Sequence, residues 1–374
     1  MKKFLLLTLL PAVISLNAQE LPETVFYKHL EGNINKNLYL SVNLIKAGDS
    51  LYGNYYHWYI EHEGSARPYF TGPQIPLSGK MTSPNEFELN EFGEKKSYFE
   101  GIFVNGSRME GTWINKETGK ELPFELYEKY PKGSMEFKAY RETDRKTLVV
   151  DSLSPNAELE LLILQAINFP SGSVNDSVKK TIYEFYADDQ SPADRADKVL
   201  QKTSHDFFKR YKEANKDLHQ IGHSFDWVKI IAPEILFNED YILSLGLINC
   251  AFTGGAHGLQ VNKYFVIDLT SGSRIELEDV LKENYSGKLD SLLNARLRFK
   301  YNIPEAKSLT RAGFFMDTIP LTDNFYLNKS GLNFHYNSYE IAPYSWGHVD
   351  LLIPYRDLKS VLRENGILSR IVQK

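Results

Sequence analysis

Ala251-Phe-Thr-Gly-Gly-Ala-His-Gly258 leads into Tyr264-Phe-Val-Ile-Asp-Leu-Thr-Ser-Gly-Ser-Arg-Ile-Glu-Leu-Glu-Asp-Val-Leu281, and this stretch decides the fold. An apolar run, Tyr241 to Phe252, precedes the glycines, and a second, Val261 to Leu269, follows them. Two β-rich runs separated by a glycine loop read as paired strands. A helix begins near Leu277. A third strand, Phe225 to Leu236, lies upstream, so three strands run on without intervening helices. That order points to an antiparallel sheet with helices in blocks, an α+β arrangement rather than strict βαβ alternation.

Working outward, Thr147 to Val150 and Leu159 to Leu164 are strand-like, and Val174 to Tyr186 reads as a helix. Ser191-Pro-Ala-Asp has the form of a helix start, with a capping serine and a first-turn proline. Helical spacing then runs to about Asn215. A third helix covers Leu289 to Tyr301, aromatic strands lie near Phe325 and Phe334, Val349 to Ile353 reads as an edge segment, and Arg356 to Glu364 as a closing helix.

Residues 22 to 128 have a different texture. Leu38 to Leu44, Leu51 to Tyr56, Phe87 to Phe92, Tyr98 to Phe103, Arg108 to Trp113 and Leu122 to Leu126 alternate and are separated by turn residues. Strands at roughly ten-residue intervals form a meander that closes as a barrel or a sandwich. Glu100-Gly-Ile-Phe and Glu110-Gly-Thr-Trp repeat one unit. Glycine beside a large ring in adjacent strands suits a tightly curved sheet, where the ring covers the gap. The expected organisation is therefore a signal peptide (1–19), an all-β module (20–128), a linker (129–134) and an α+β domain (135–374).

Lys2 and Lys3, the apolar Phe4 to Leu10, and the small, polar Ser15 to Gln19 form a secretory signal pattern. That run is too short for a membrane span of about 20 residues, and no later segment is long and apolar enough. The expected location is periplasmic or secreted. The single cysteine, Cys250, cannot make an internal disulfide, so burial must hold the fold; its apolar neighbours suggest a buried small hydrophobe. At 374 residues, 42% hydrophobic and 13% aromatic, the chain can fill more than one core. A net charge of −5 gives no basic face for nucleic acid.

Two constellations carry chemistry. Gly254, Gly255 and Gly258 permit positive φ around His257. That ring either meets a ligand or caps its own loop through the backbone. The second is Tyr339-Glu340-Ile-Ala-Pro343-Tyr344 with Trp346, His348, Asp350 and nearby His335. Its rings either stack on a sugar or pack a loop onto the core. Its acids and histidines have ligand chemistry but fit no established zinc spacing. The ligand-binding candidates are thus Gly254, Gly255, His257, Tyr339, Glu340, Tyr344, Trp346 and His348. No catalytic residue, metal set or cofactor is assigned. His219 and His223 have helical i, i+4 spacing but lack the glutamate of a metalloprotease motif. His57, Trp58, His62 and Glu63 form a polar aromatic loop that either lines a barrel mouth or is simply exposed. Nucleophile elbows, phosphate loops and dinucleotide fingerprints are absent from the sequence.

From about Gly133 onward the chain resembles a family of exported bacterial domains of unknown function. The resemblance rests on Thr253 to Gly258, on Asp268 to Leu281, and on Tyr339 to Tyr344 leading to Leu352-Ile-Pro-Tyr355. The family occurs in the ectodomain of the anti-sigma factor that senses lysozyme and ahead of some peptidoglycan deacetylase domains. It implies an α+β domain that binds or senses, with catalysis supplied elsewhere. The chain shows no sigma-binding segment and no Thr-Phe-Asp-Asp-Gly type of deacetylase metal motif. The β-module resembles a small module common in exported bacterial proteins. Together these readings imply a non-catalytic envelope protein that recognises a cell-wall glycan or a lysozyme-like protein. The alternative is a hydrolase of envelope polymers using His257, Glu340 and His348.

Overall fold

The computed structural model describes residues 23–60, 68–71, 73–92, 97–148, 155–186, 195–217, 225–364 and 366–372. The signal segment, the Ser191 helix start, His219, His223, His62 and Glu63 lie outside the described residues.

The first unit is an antiparallel barrel. Its strands are β1 (Val25–Ile34), β2 (Leu38–Ala47), β3 (Ser50–Ile60), β4 (Pro68–Thr71), β5 (Ile75–Met81), β6 (Glu86–Glu91), β7 (Ser97–Val104), β8 (Arg108–Asn115) and β9 (Lys120–Glu128). The pairings β1–β9 and β2–β3 close a ring of eight strands, and β4 adds to the end of β3. Alternation sends Leu40, Val42, Leu44, Phe87, Leu89, Phe99, Phe103, Phe124 and Leu126 into one core. Gly101 and Gly111 face each other across β7 and β8. A Cβ on Gly111 would lie 2.1 Å from the Glu100 carbonyl oxygen, so only glycine fits this curvature. Phe87 pairs with Gly101 and Phe124 with Gly111, and their ring centroids are 6.4 Å apart. The rings opposite the two glycines thus come from β6 and β9, not from the repeated unit itself.

The second unit begins with β10 (Glu136–Thr147), β11 (Asn156–Ile167), α1 (Gly172–Tyr186), α2 (Ala196–Ala214), β12 (Trp227–Glu239), β13 (Ile242–Phe252), β14 (Leu259–Asp268), β15 (Ser273–Arg274) and α3 (Leu277–Val280). The six strands pair in chain order. Every pairing is antiparallel except β11–β12, which runs parallel because α1 and α2 carry the chain back across the sheet. Those helices bury Val174, Val178, Ile182, Leu200, Phe207 and Phe208 against one sheet face. The helix expected near Leu277 is one turn, closed by a capping box between Glu276 and Asp279.

The chain continues through α4 (Ser286–Lys300), α5 (Leu309–Ala312), β16 (Phe325–Leu327), β17 (Gly331–Tyr336), β18 (Val349–Pro354), α6 (Tyr355–Leu358) and α7 (Ser369–Val372). Strands β16–β18 form a separate antiparallel sheet over a second core with α4. The closing helix read over Arg356 to Glu364 is corrected to the single turn α6. Leu362 instead bridges to Leu281, and Lys282 N–H donates to the Val361 carbonyl, which draws the segment out of helix.

The barrel docks on β12 through backbone acceptors. A bulge leaves Leu236 outside the β12–β13 register. Its freed carbonyl accepts from Tyr56 Oη at 3.1 Å and Gln74 Nε2 at 2.8 Å. Asn54 donates to the Ile235 carbonyl and Tyr52 to the Pro233 carbonyl at 3.2 Å. Among the described residues no helix is long and apolar enough to cross a membrane.

Candidate functional site

The loop between β13 and β14 turns on Gly254 and Gly255, at φ 93° and 95°. It sets His257 in solvent. The turn after β17 is built by Glu340 N–H donating to the Asn337 carbonyl and Tyr339 N–H to that of Ala342. It holds Tyr339 at φ 73°, an uncommon value for a side chain of this size. A short 3-10 turn, Tyr344–Trp346, follows.

These segments, about 80 residues apart in sequence, meet at the surface. The His257 ring stacks on Tyr344 with centroids 3.9 Å apart and an 18° interplanar angle. Tyr339 lies 6.3 Å from His257 and 5.7 Å from Tyr344. His257 Nδ1 is 2.9 Å from the Gly258 carbonyl, which can only accept, so Nδ1 carries the proton. In the neutral ring Nε2 therefore accepts from Tyr339 Oη at 3.2 Å. The two readings of His257 coexist: it caps its own loop and it joins an exposed aromatic platform. Tyr339 is 50% exposed and Tyr344 38%. Phe315, 51% exposed, donates its N–H to the Ile341 carbonyl beside them. Sequence reasoning passed over Phe315, whose only signal was the Phe314-Phe315 doublet.

The remaining candidates are placed differently. Glu340 is exposed and accepts from Asn337 Nδ2 at 3.1 Å. Trp346 turns inward, with centroids 5.0 Å from Tyr301 and 4.7 Å from Phe314, over the space left by Gly313. It packs α5 and the 3-10 turn together rather than facing a ligand. His348 is half-buried, stacks on His335 at 5.2 Å, and its Nδ1 has no hydrogen-bond partner. Burial and the neighbouring His335 lower its pKa, against Asp350 and Glu340.

On β17 and β18, next to the turn that carries Tyr339, lies a polar cluster that spacing alone does not reveal. His335 and Asp350 are directly opposite in the β17–β18 register, and His335 Nδ1 lies 2.7 Å from Asp350 Oδ1. His335 is 1% exposed and meets the Tyr264 ring edge-on at 5.0 Å, while Tyr264 lies 4.7 Å from Tyr326. Glu234 on β12 shares this environment. Burial raises its carboxyl to about 7, Asp350 pushes the same way, and His335 opposes. Among the described residues no group of three or more His, Cys, Asp or Glu is placed to hold a metal. Cys250 is half-buried rather than enclosed. It shares the register row of exposed Ile230 and of Gln260, to which its thiol donates at 3.4 Å, and burial pushes the thiol pKa up.

With this geometry in view, residues 156–260 match the family described as deacetylase PdaC, and residues 278–356 match DUF3298, a protein family of unknown function. The second half of this chain is similar to both. The glycine–histidine loop falls within the first match and the Tyr339 to Tyr344 turn within the second. The peptidoglycan-N-acetylmuramic acid deacetylase PdaC of Bacillus subtilis is 23% identical over 242 residues, covering 61% of this chain and 46% of that protein. The chain thus spans less than half the length of this curated relative. Among solved structures, a DUF3298 member from Bacteroides fragilis is 24% identical with a TM-score of 0.57, covering 65% of this chain and all of its own. A DUF3298 protein from Pseudomonas aeruginosa is 18% identical with a TM-score of 0.44, over 61% of this chain and 95% of its own. The likeness to the first extends to the fold.

Proposed function

We propose that the protein is an exported, non-catalytic binding protein of the cell envelope, and that His257, Tyr339 and Tyr344 form its platform for a sugar of the cell-wall glycan. The carrying observation is the stacked, half-exposed ring cluster assembled from two distant segments. Flat aromatic faces held by backbone turns offer apolar area at little entropic cost, with hydroxyl tips for orientation. The peptidoglycan-deacetylase relative favours a glycan over a lysozyme-like protein as partner. In this reading residues 1–19 direct export, residues 20–128 and 135–374 are two modules joined by 129–134, and Gly254 and Gly255 serve to present His257. Hydrolysis is not part of the proposal. Of the residues that alternative would use, His257 engages both ring nitrogens with Gly258 and Tyr339, Glu340 accepts from Asn337, and His348 stacks on buried His335.

The test is co-sedimentation of the purified mature chain with peptidoglycan sacculi, followed by calorimetry with soluble muropeptides. Tyr344→Ala and His257→Ala should each weaken binding by about tenfold, an ordinary loss for one stacked ring. Phe299→Ala, which removes a 77% exposed ring on α4, should bind as the native chain does. A native chain that stays in the supernatant removes the proposal.

A further inference from the structure

We infer that the buried His335–Asp350 pair is a positioning device for the aromatic platform, acting through Asn337 and making ligand binding depend on pH. The inference rests on the platform being the binding surface.

The argument begins with the Asn337 amide, whose orientation is fixed. Its Oδ1 accepts from Asn262 N–H at 2.7 Å, and a backbone N–H can only donate. Its Nδ2 donates to the Asn262 carbonyl at 3.2 Å and to Glu340 Oε1 at 3.1 Å. Asn324 grips the same strand, accepting from Tyr264 N–H and donating to the Asn262 carbonyl. The three-stranded sheet therefore docks on the β14 edge through two amide side chains, and neither amide can turn over without losing backbone bonds.

Asn337 Oδ1 also lies 3.3 Å from His335 Nε2. The other ring nitrogen, Nδ1, faces Asp350 Oδ1 at 2.7 Å. Both nitrogens of a buried imidazole thus face oxygens that accept. Only the doubly protonated ring donates to both. When it loses a proton, the carboxylate retains Nδ1–H, and the Nε2 lone pair is left against the Asn337 oxygen. That buried contact cannot be relieved by flipping the amide, so Asn337 must shift. Asn337 opens the turn that presents Tyr339, and its carbonyl and Nδ2 both hold Glu340. The expected consequence is a looser platform as pH rises.

Other charged or titratable groups face the pair from each packed element. They are Glu234 on β12, Tyr264 on β14, Tyr326 on β16, His348 before β18, Glu340 in the turn, and Lys300 on α4, whose Nζ donates to the Asp350 carbonyl. Of the hydrogen bonds to the His335 ring, one is made by Asp350 and one by Asn337. Asp350→Asn offers Nδ1 a donor as well as an acceptor, so the neutral ring can carry its proton on Nε2, donate to Asn337, and break the coupling. Glu234→Gln should leave the coupling in place.

The experiment follows the ligand-free chain by NMR from about pH 5 to 9, the range in which histidine ordinarily titrates. His335 ring nitrogens should change from the doubly to the singly protonated pattern, and Tyr339 ring signals should move with the same midpoint. In Asp350→Asn the Tyr339 signals should no longer follow the His335 ring. Sacculus binding by the native chain should weaken about tenfold over the same transition. Tyr339 signals that stay still while the native His335 ring changes, or that still follow it in Asp350→Asn, overturn the inference. If Asp350→Asn does not fold, the native titration decides. Coupled NMR midpoints with no sacculus binding at any pH would sustain the positioning role and refute the glycan platform.

Discussion

Replacing Glu234 by glutamine should stabilise the protein at alkaline pH and leave it nearly unchanged in mild acid. The folded chain raises this carboxyl from 4.5 to about 7, chiefly by burial and secondly through Asp350. A raised carboxyl binds its proton more tightly folded than unfolded. Below pH 4.5 both states hold the proton and no stability depends on it. As pH rises from 4.5 through 7, the unfolded chain releases the proton first and the native state loses ground. Above pH 7 the loss is complete, and a shift of this size corresponds to about 3 kcal/mol. Glutamine has nearly the same shape and no charge to desolvate. Urea denaturation of both proteins at several values from about pH 4.5 to 9 measures the effect. The variant should match the native chain within about 1 kcal/mol at the acid end and exceed it by about 2–3 kcal/mol at pH 8. Parallel stability curves, or a variant weaker at pH 8, would refute the account of Glu234 as a desolvated carboxyl.

Other outcomes follow from the same contacts. Tyr344→Ala should lower stability by less than about 1.5 kcal/mol, because its ring is partly exposed and loses mainly one stacking partner; thermal melts check this beside the binding loss. Gly111→Ala should cost at least about 2 kcal/mol or prevent barrel closure, since its Cβ would collide with the backbone of β7; soluble yield and circular dichroism report it. Tyr56→Phe should cost about 1–2 kcal/mol in chemical denaturation, because the Leu236 carbonyl at the inter-domain bulge loses a buried donor and Lys329 N–H an acceptor.

Much of the fold is visible in local pattern. Strands β6 to β9 and β11 to β14 announce themselves by alternation or by apolar runs, and α1, α2 and α4 by helical spacing. Strand β1 does not, because its outward face is not solvated: Tyr27 and His29 are buried against the second unit, and Lys28 and Glu31 blur the alternation. Strand β5 hides behind Pro76 and Gly79. The parallel β11–β12 pair depends on which way α1 and α2 return, a matter of packing rather than of strand composition. Glycine punctuation marked the His257 loop, and aromatic density marked Tyr339 and Tyr344. Trp346 belonged to the same dense stretch, yet it faces Phe314, because the room beside Gly313 lies inward.

The sequence by itself determined the two textures of the chain and the curvature glycines of the barrel, since each follows from backbone periodicity or from the intrinsic conformational range of a residue. Tertiary structure alone decided that His257 stacks on Tyr344, that His335 faces both Asp350 and Asn337, and that Glu234 holds its proton near neutrality. His335 meets Asp350 through the register of neighbouring strands 15 residues apart, whereas the His257–Tyr344 stack and the burial of Glu234 near Asp350 exist only once segments more than 80 residues apart have been brought together.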